Sequence, residues 1–162
     1  MSQGNSRSHE WADPGRLAEE VREMSGEEFF SAWGDDRLVP PMAATLGFRL
    51  VAFDEGRVEI ACDPEEFHYN PYGMVHGGLA ATLLDTATGC AIHTLLPAGV
   101  GYATLDLHVT YLRPVTTQSG SLTCVGTVTS RGRRVAVAEA TLLGQDRRVA
   151  QATSTCLIVE PR

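Results

Sequence analysis

No lysine occurs anywhere in these 162 residues; apart from histidine, all 13 basic side chains are arginines. Guanidinium suits bidentate phosphate contacts, and exclusive arginine usage reflects genomic base composition equally well. No apolar run approaches the roughly 20 residues of a membrane-spanning helix. The opening Met1-Ser2-Gln3-Gly4-Asn5-Ser6-Arg7-Ser8 lacks the apolar stretch of a signal peptide. A soluble cytoplasmic protein with no membrane partner is therefore expected. Cysteine is sparse: Cys62, Cys90, Cys124 and Cys156 stand far apart within apolar segments. That spacing fits small buried hydrophobes, not a disulfide framework or a zinc site, so no metal is expected.

Positive charge is also scarce. The net charge is −7 and it is unevenly spread: residues 1–66 hold 15 acids against 6 arginines, while residues 67–162 hold 5 acids against 7 arginines. The carboxyl-terminal part is mildly basic, which leaves room for an anionic small ligand. It offers little of the broad positive surface of a nucleic-acid binder, and none is expected as a partner.

What is present is a 43% hydrophobic chain of a length that suits one domain plus an extension. Asp13-Pro14 reads as an N-cap followed by proline at the first helical position, with Leu17, Val21 and Met24 at helical spacing. Ser25-Gly26-Glu27-Glu28 reads as a capping box opening a second helix through Phe29, Phe30 and Trp33. Residues 1–40 are thus expected to form an acidic helical extension that packs onto something, and residues 41–162 the main domain. After Pro40-Pro41, Leu46 to Asp54 and Arg57 to Cys62 read as a hairpin turning at Asp54-Glu55-Gly56. Residues 77 to about 96 form one long helix, ended by Pro97-Ala98-Gly99. Four extended runs follow, at 102–113, 119–130, 133–144 and 148–159, read as an antiparallel meander.

Small residues line one face of the later runs: Gly126, then Ala136, Ala138 and Ala140, then Ala150, Ala152, Ser154 and Cys156. Small side chains let a helix lie close. The expected fold is α+β, a curved antiparallel β-sheet wrapped around one long central α-helix. Such a sheet has exposed edges. Pairing of run 102–113 with a second copy covers one of them, which predicts a homodimer or a dimer of dimers.

The chemistry concentrates in Asn70-Pro71-Tyr72-Gly73-Met74-Val75-His76-Gly77-Gly78 and in Asp85. Two glycines open a helix whose unpaired N–H groups and positive dipole end suit a carbonyl oxygen becoming negative. Asp85 interrupts an apolar helical run, where an ionised carboxylate is costly without a partner or a task. Its ordinary structural reading is satisfaction by Thr82 or Thr86. For Asn70 the ordinary reading is a turn former, for His76 a helix cap, and for Gly77 and Gly78 close packing. By period-two alternation Thr104, Asp106, His108 and Thr110 share one strand face. Met74, Tyr72, Leu79 and Leu83 are apolar candidates for lining an acyl pocket.

The order of elements, with Asn70-x-x-Gly73-x-x-His76-Gly77-Gly78 and Asp85, resembles the hotdog-fold acyl-CoA thioesterases of the phenylacetic-acid-degradation type over roughly residues 41–162. Ala103-Thr104-Leu105-Asp106-Leu107-His108-Val109-Thr110-Tyr111-Leu112-Arg113-Pro114 is similar to that family's third strand. The resemblance implies an acyl-CoA substrate, a free acid and coenzyme A as products, and no further cofactor. It implies a site between two subunits of a homodimer or homotetramer, the glycine-bearing helix end from one and the carboxylate from the other. By position, Gly77 donates to the thioester oxygen, Asn70 and His76 shape the carbonyl pocket, and Thr104 helps hold the attacking water. Asp85 acts as general base or as nucleophile. Val75 and Gly78 adjoin the substrate, and the Arg131-Gly132-Arg133-Arg134 turn lies near the coenzyme A chain. Two alternative readings of the chain stay open on the same fold: a non-catalytic acyl-CoA binding or sensing protein, and, second to it, an acyl thioester hydratase or dehydratase using His76 and Asp85.

Overall fold

Local chemistry sets the first helices. In the computed structural model, which describes residues 4–160, the Asp13 carboxylate accepts the Arg16 N–H at 2.8 Å, and Pro14 opens α1 (Pro14–Arg22). Ser25 and Glu28 close a full capping box at the start of α2 (Gly26–Gly34). Helix α2 buries Phe29, Phe30 and Trp33 against Phe48, Phe53 and His93, in one core with the long helix and the sheet. The acidic arm thereby packs its second helix onto the core face of the sheet, beside Phe48 and Phe53. Residues Met1 to Gln3, part of the opening stretch read above, lie outside the described residues.

A short helix, α3 (Pro41–Leu46), stands where the sequence was read as leading into a strand from Leu46. Proline at its first turn and Gly47 at φ 73° just past its end make a complete helical unit of six residues. The hairpin β1 (Phe48–Asp54) and β2 (Arg57–Cys62) follows as expected. Next come α4 (Gly77–His93), β3 (Gly101–Tyr111), β4 (Leu122–Arg131), β5 (Val135–Gly144) and β6 (Arg147–Val159).

The six strands form one antiparallel sheet in the order β1-β2-β4-β5-β6-β3. The expected four-strand meander therefore holds only for β4, β5 and β6. Strand β3 lies on the far side of β6, and β4 joins β2. Pro114 has no N–H for a ladder, and the N–H groups of Leu112 and Arg113 both turn onto the Val149 carbonyl, so the chain leaves the β3 edge and crosses to β4.

The small-residue face does what its composition suggests. Ala136, Ala138, Ala140, Ala150, Ala152, Ser154 and Cys156 are all buried. A Cβ on Gly126 would sit 2.1 Å from the Ala87 carbonyl oxygen, so the α4 backbone rests on the sheet at that point. Among the described residues no helix is long and apolar enough to cross a membrane.

Candidate active site

Helix α4 and strand β3 run antiparallel to one another, and three contacts fix their register. Tyr111 Oη donates to the Gly77 carbonyl at 3.1 Å, Thr104 Oγ1 donates to Asp85 Oδ1 at 3.0 Å, and the Tyr102 ring packs on Gly89. Asp85 and Gly89, four residues apart, are neighbours on the helix face turned to β3, and Gly77 meets the other end of that strand.

The start of α4 is capped by its own histidine. His76 Nδ1 accepts the Gly78 N–H at 2.8 Å, which puts the proton of the neutral ring on Nε2. The Leu79 N–H returns to the His76 carbonyl at 3.0 Å. Among the described residues no acceptor takes the Gly77 N–H. It is the orphan donor of this helix end.

The loop ahead of it is built around Asn70. Its Oδ1 accepts from the N–H groups of Tyr72 at 2.9 Å and Met74 at 3.3 Å, while its own N–H donates to the Met74 carbonyl at 2.7 Å. Gly73 turns the loop at φ 78°. Val75 is buried, and its N–H donates to the Val115 carbonyl at 2.9 Å. Asn70, Met74, Val75, His76 and Gly77 line an apolar pocket of about 340 Å³ whose far wall comes from the end of β3 and from Val149-Ala150. Of the four apolar candidates only Met74 lines it. Leu79 and Leu83 point into the core, and Tyr72 stands 85% exposed.

Asp85 lies about 12 Å along the helix from Gly77, eight residues at the usual rise. Its partner is Thr104 and neither Thr82 nor Thr86, the two hydroxyls expected; Thr82 instead donates to the Gly78 carbonyl at 2.9 Å. The expected common face of Thr104, Asp106, His108 and Thr110 is broken. The β3–β6 register slips between Thr104 and Asp106, leaving Leu105 as a bulge. Thr104 thus pairs with buried Cys156 and faces the helix, whereas Asp106, His108 and Thr110 pair with Thr155, Thr153 and Gln151 on the outer face.

The comparisons with known proteins bear on this arrangement. The Thioesterase superfamily profile matches residues 72–151. A candidate thioesterase related to phenylacetic acid degradation, from Ralstonia eutropha, is 32% identical, with a TM-score of 0.73 over 80% of this chain and 98% of that one. The chain belongs to the thioesterase superfamily. Its sheet wrapped on a central helix is the hotdog fold of these relatives. Human acyl-coenzyme A thioesterase 13 is 35% identical over 65 residues, which are 40% of this chain and 46% of that protein. A Streptococcus mutans protein solved with acetyl CoA is 29% identical, with a TM-score of 0.64 over 71% of this chain and 90% of that one. The chain spans between 44% and 65% of the curated relatives it matches.

Within this superfamily member the expected site residues fall into three places. Asn70, Val75, His76 and Gly77 meet at the apolar pocket, with Gly78 beside them under the His76 cap. Asp85 and Thr104 meet further along α4. The Arg131, Gly132, Arg133 and Arg134 turn is exposed and joins neither group. Arg131 is level with Thr104 through Ala136 and Cys156, about 14 Å away across three strand spacings.

Residues that sequence reasoning did not single out also shape the site. Tyr111 and Arg113 line the pocket mouth. His68 is buried, and its carbonyl accepts the His76 N–H at 2.8 Å. Its ring is held on both nitrogens, by the Glu65 N–H at 3.0 Å and the Leu46 carbonyl at 2.9 Å, and burial pushes its pKa down. The alternation Leu107-Val109-Tyr111 was the available signal for Tyr111; His68 carries none that a single chain reveals.

Proposed function

We propose that this protein is an acyl-CoA thioesterase, hydrolysing a thioester to a carboxylic acid and free coenzyme A. The observation that carries the reading is the split of labour at the head of α4: His76 takes the Gly78 N–H and leaves the Gly77 N–H free beside an apolar pocket. A free, preorganised donor at a helix N-terminus is what a thioester oxygen requires as it becomes an oxyanion. The acetyl CoA held by the Streptococcus mutans relative and the name of the human relative favour a coenzyme A ester.

In this reading the Asp85 carboxylate removes a proton from a water held with Thr104, and the water oxygen attacks the thioester carbon. The Gly77 N–H stabilises the tetrahedral oxyanion, which collapses by expelling the coenzyme A thiolate. Direct attack by Asp85, giving a mixed anhydride that water then opens, has the same overall balance. Neither route draws on a metal or a further cofactor. Asn70 and His76 act by shaping the loop, and the Arg131–Arg134 turn meets the coenzyme A portion.

One chain does not bring these groups to one carbonyl, because Gly77 and Asp85 stand about 12 Å apart on a single helix. The reading therefore includes a homo-oligomer in which the Gly77 end of one copy faces Asp85 of another. Of the two edge strands β3 is the longer, 11 residues against 7 in β1, and it offers the edge for that pairing.

The test is release of free thiol from a panel of aryl and aliphatic acyl-CoA thioesters by wild type and Asp85→Asn. Turnover by wild type, lost in the variant while the intact thioester still binds, is the expected result. Binding without thiol release by wild type would replace the enzyme with an acyl-CoA sensor.

A further inference from the structure

Beyond Asp85, one turn further along α4, the β3-facing stripe of the helix ends in Gly89, and Tyr102 fills the space a side chain there would take. A Cβ on Gly89 would lie 2.5 Å from Tyr102 Cε2 and 2.8 Å from its hydroxyl. Tyr102 and Thr104 are two residues apart on the same strand before the bulge, so both face the helix, Thr104 onto Asp85 and Tyr102 next to it. The ring also packs, tilted by 52°, against His93 at 5.7 Å between centroids. The same ring lines a pocket of about 280 Å³, together with Ala18, Val21 and exposed Arg22 of α1, His93 and Val100. Tyr102 thus lines this second space while its ring covers the helix one turn beyond the carboxylate.

We propose that Tyr102 is the specificity-determining stop of the acyl site, and that the pocket under α1 receives the end of a longer acyl chain once that stop is removed. The inference rests on the thioesterase reading, since it takes Asp85 as the point where the acyl carbon is attacked. From Asp85 to Gly89 the helix rises about 6 Å, so an acyl group attacked at Asp85 and running along α4 meets the Tyr102 ring after about one aryl ring or roughly four methylenes. The native protein therefore selects short or single-ring acyl groups.

The lining carries the chemistry. Ala18, Val21 and Val100 present methyl groups, and burial pushes the His93 pKa down, which favours its neutral ring. An alkyl terminus gains by leaving water among these methyl groups, with the Arg22 guanidinium at the solvent side of the pocket. Helix α1 belongs to the arm outside the region matched by the superfamily profile, so the arm's place in this reading is to form the outer wall of an acyl compartment.

The experiment uses the full chain as wild type, Tyr102→Ala, Tyr102→Leu and the double variant Tyr102→Ala/Ala18→Phe, each checked for an intact thermal transition. Two readouts are taken: kcat/KM for straight-chain acyl-CoA thioesters of two to sixteen carbons, and calorimetric affinity for dodecanoate, which needs no turnover. Tyr102→Ala is expected to raise kcat/KM for dodecanoyl-CoA relative to butanoyl-CoA at least tenfold and to tighten dodecanoate binding by a similar factor. Tyr102→Leu gives a smaller gain and stands in if the alanine variant does not fold. Ala18→Phe, which fills the pocket from exposed α1, cancels both gains. An unchanged length profile and unchanged dodecanoate affinity in the folded variants overturn the proposal. If no thioester is turned over by wild type, the enzymatic reading fails by itself, and dodecanoate binding still decides whether the compartment exists.

Discussion

Thr104 reaches Asp85 because Leu105 bulges out of β3. The 3.0 Å bond from Thr104 Oγ1 to Asp85 Oδ1 requires Thr104 on the helix side of the sheet, while two residues later Asp106 faces outward. One unpaired residue turns a strand that would present an all-polar face into one that hands a single hydroxyl to the helix carboxylate. Removing that hydroxyl has a measurable cost under the proposed chemistry. Hydrogen bonds to a charged group contribute about 1.5–3 kcal/mol, so Thr104→Val is expected to lower kcat by roughly 10- to 100-fold. Thr104→Ser keeps most of the rate. Equal kcat for Thr104→Val and wild type would show that the hydroxyl does not serve the reaction.

The seat of α4 on the sheet makes a prediction about stability alone. Gly126 touches the α4 backbone, where an added Cβ would meet the Ala87 carbonyl oxygen at 2.1 Å. Neither the helix nor the central strand can step aside without disturbing the stacked alanines around them. Gly126→Ala is therefore expected to cost on the order of 3 kcal/mol, the upper range for overpacking, and to lower the urea midpoint accordingly. A midpoint within error of wild type would mean that α4 is not seated on β4.

Two histidines give the molecule an acid limit. Burial lowers the pKa of both His68 and His93 below the ordinary imidazole value. The folded state then holds fewer protons than the unfolded one as pH falls, so stability is full above the unfolded pKa of about 6.5 and is lost as pH drops through the folded values. Thermal melts between pH 7.5 and 5 should show Tm falling with acidity. In His68→Gln the fall should be shallower, because one of the two groups is gone. Melts that stay level across that window, or a variant with the same slope, would contradict this account of His68.

Much of this was legible in the sequence, and the failures have physical causes. The caps at Asp13 and Ser25, the hairpin at Asp54-Glu55-Gly56 and the start of α4 are short-range events settled by a few neighbouring residues. The small-residue face was readable because seven of its members lie on just two strands. What escaped were features set by distant partners. Strand β3 belongs next to β6 because of where the chain crosses after Pro114, which no local pattern encodes. The bulge at Leu105 is invisible to alternation, since the residues on either side are as polar as a regular strand would have them. Helix α3 is six residues long, too short to show a period. Asn70, His76 and Gly77 were found by motif, whereas Tyr111 and His68 act on backbone atoms, through a hydroxyl and a carbonyl that carry no motif.

His76 separates a structural from a chemical task. Its Nδ1 bond to the Gly78 N–H is an N-cap, and loss of a cap costs about 1 kcal/mol. His76→Ala should lower stability by roughly that amount, and His76→Asn, whose side-chain oxygen also caps, should restore most of it. Under the proposed role the same pair should order alike in kcat, because the cap keeps Gly78 occupied and Gly77 free. A His76→Asn variant that is stable but inactive would instead assign the ring itself to the reaction.

The shared site predicts rescue between two dead subunits. Gly77→Pro deletes the N–H proposed as oxyanion donor at a first helical position, where proline is accommodated; the contact it crowds is the exposed Tyr111 ring, 3.2 Å from the new Cβ. Loss of one such donor typically costs 10²- to 10³-fold in kcat, and Asp85→Asn removes the carboxylate. Neither homo-oligomer retains a working pair. In a mixture formed by co-expression, each hybrid dimer joins the intact Gly77 of one subunit to the intact Asp85 of the other and so regains one of its two sites. With random pairing, half the dimers are hybrids, and activity should recover to about a quarter of wild type. Recovery near that value places the oxyanion donor and the carboxylate of one site on different chains. Mixed subunits as inactive as the parents, with exchange verified by mass, would confine each site to a single chain and require α4 to act on a substrate spanning about 12 Å along its own axis.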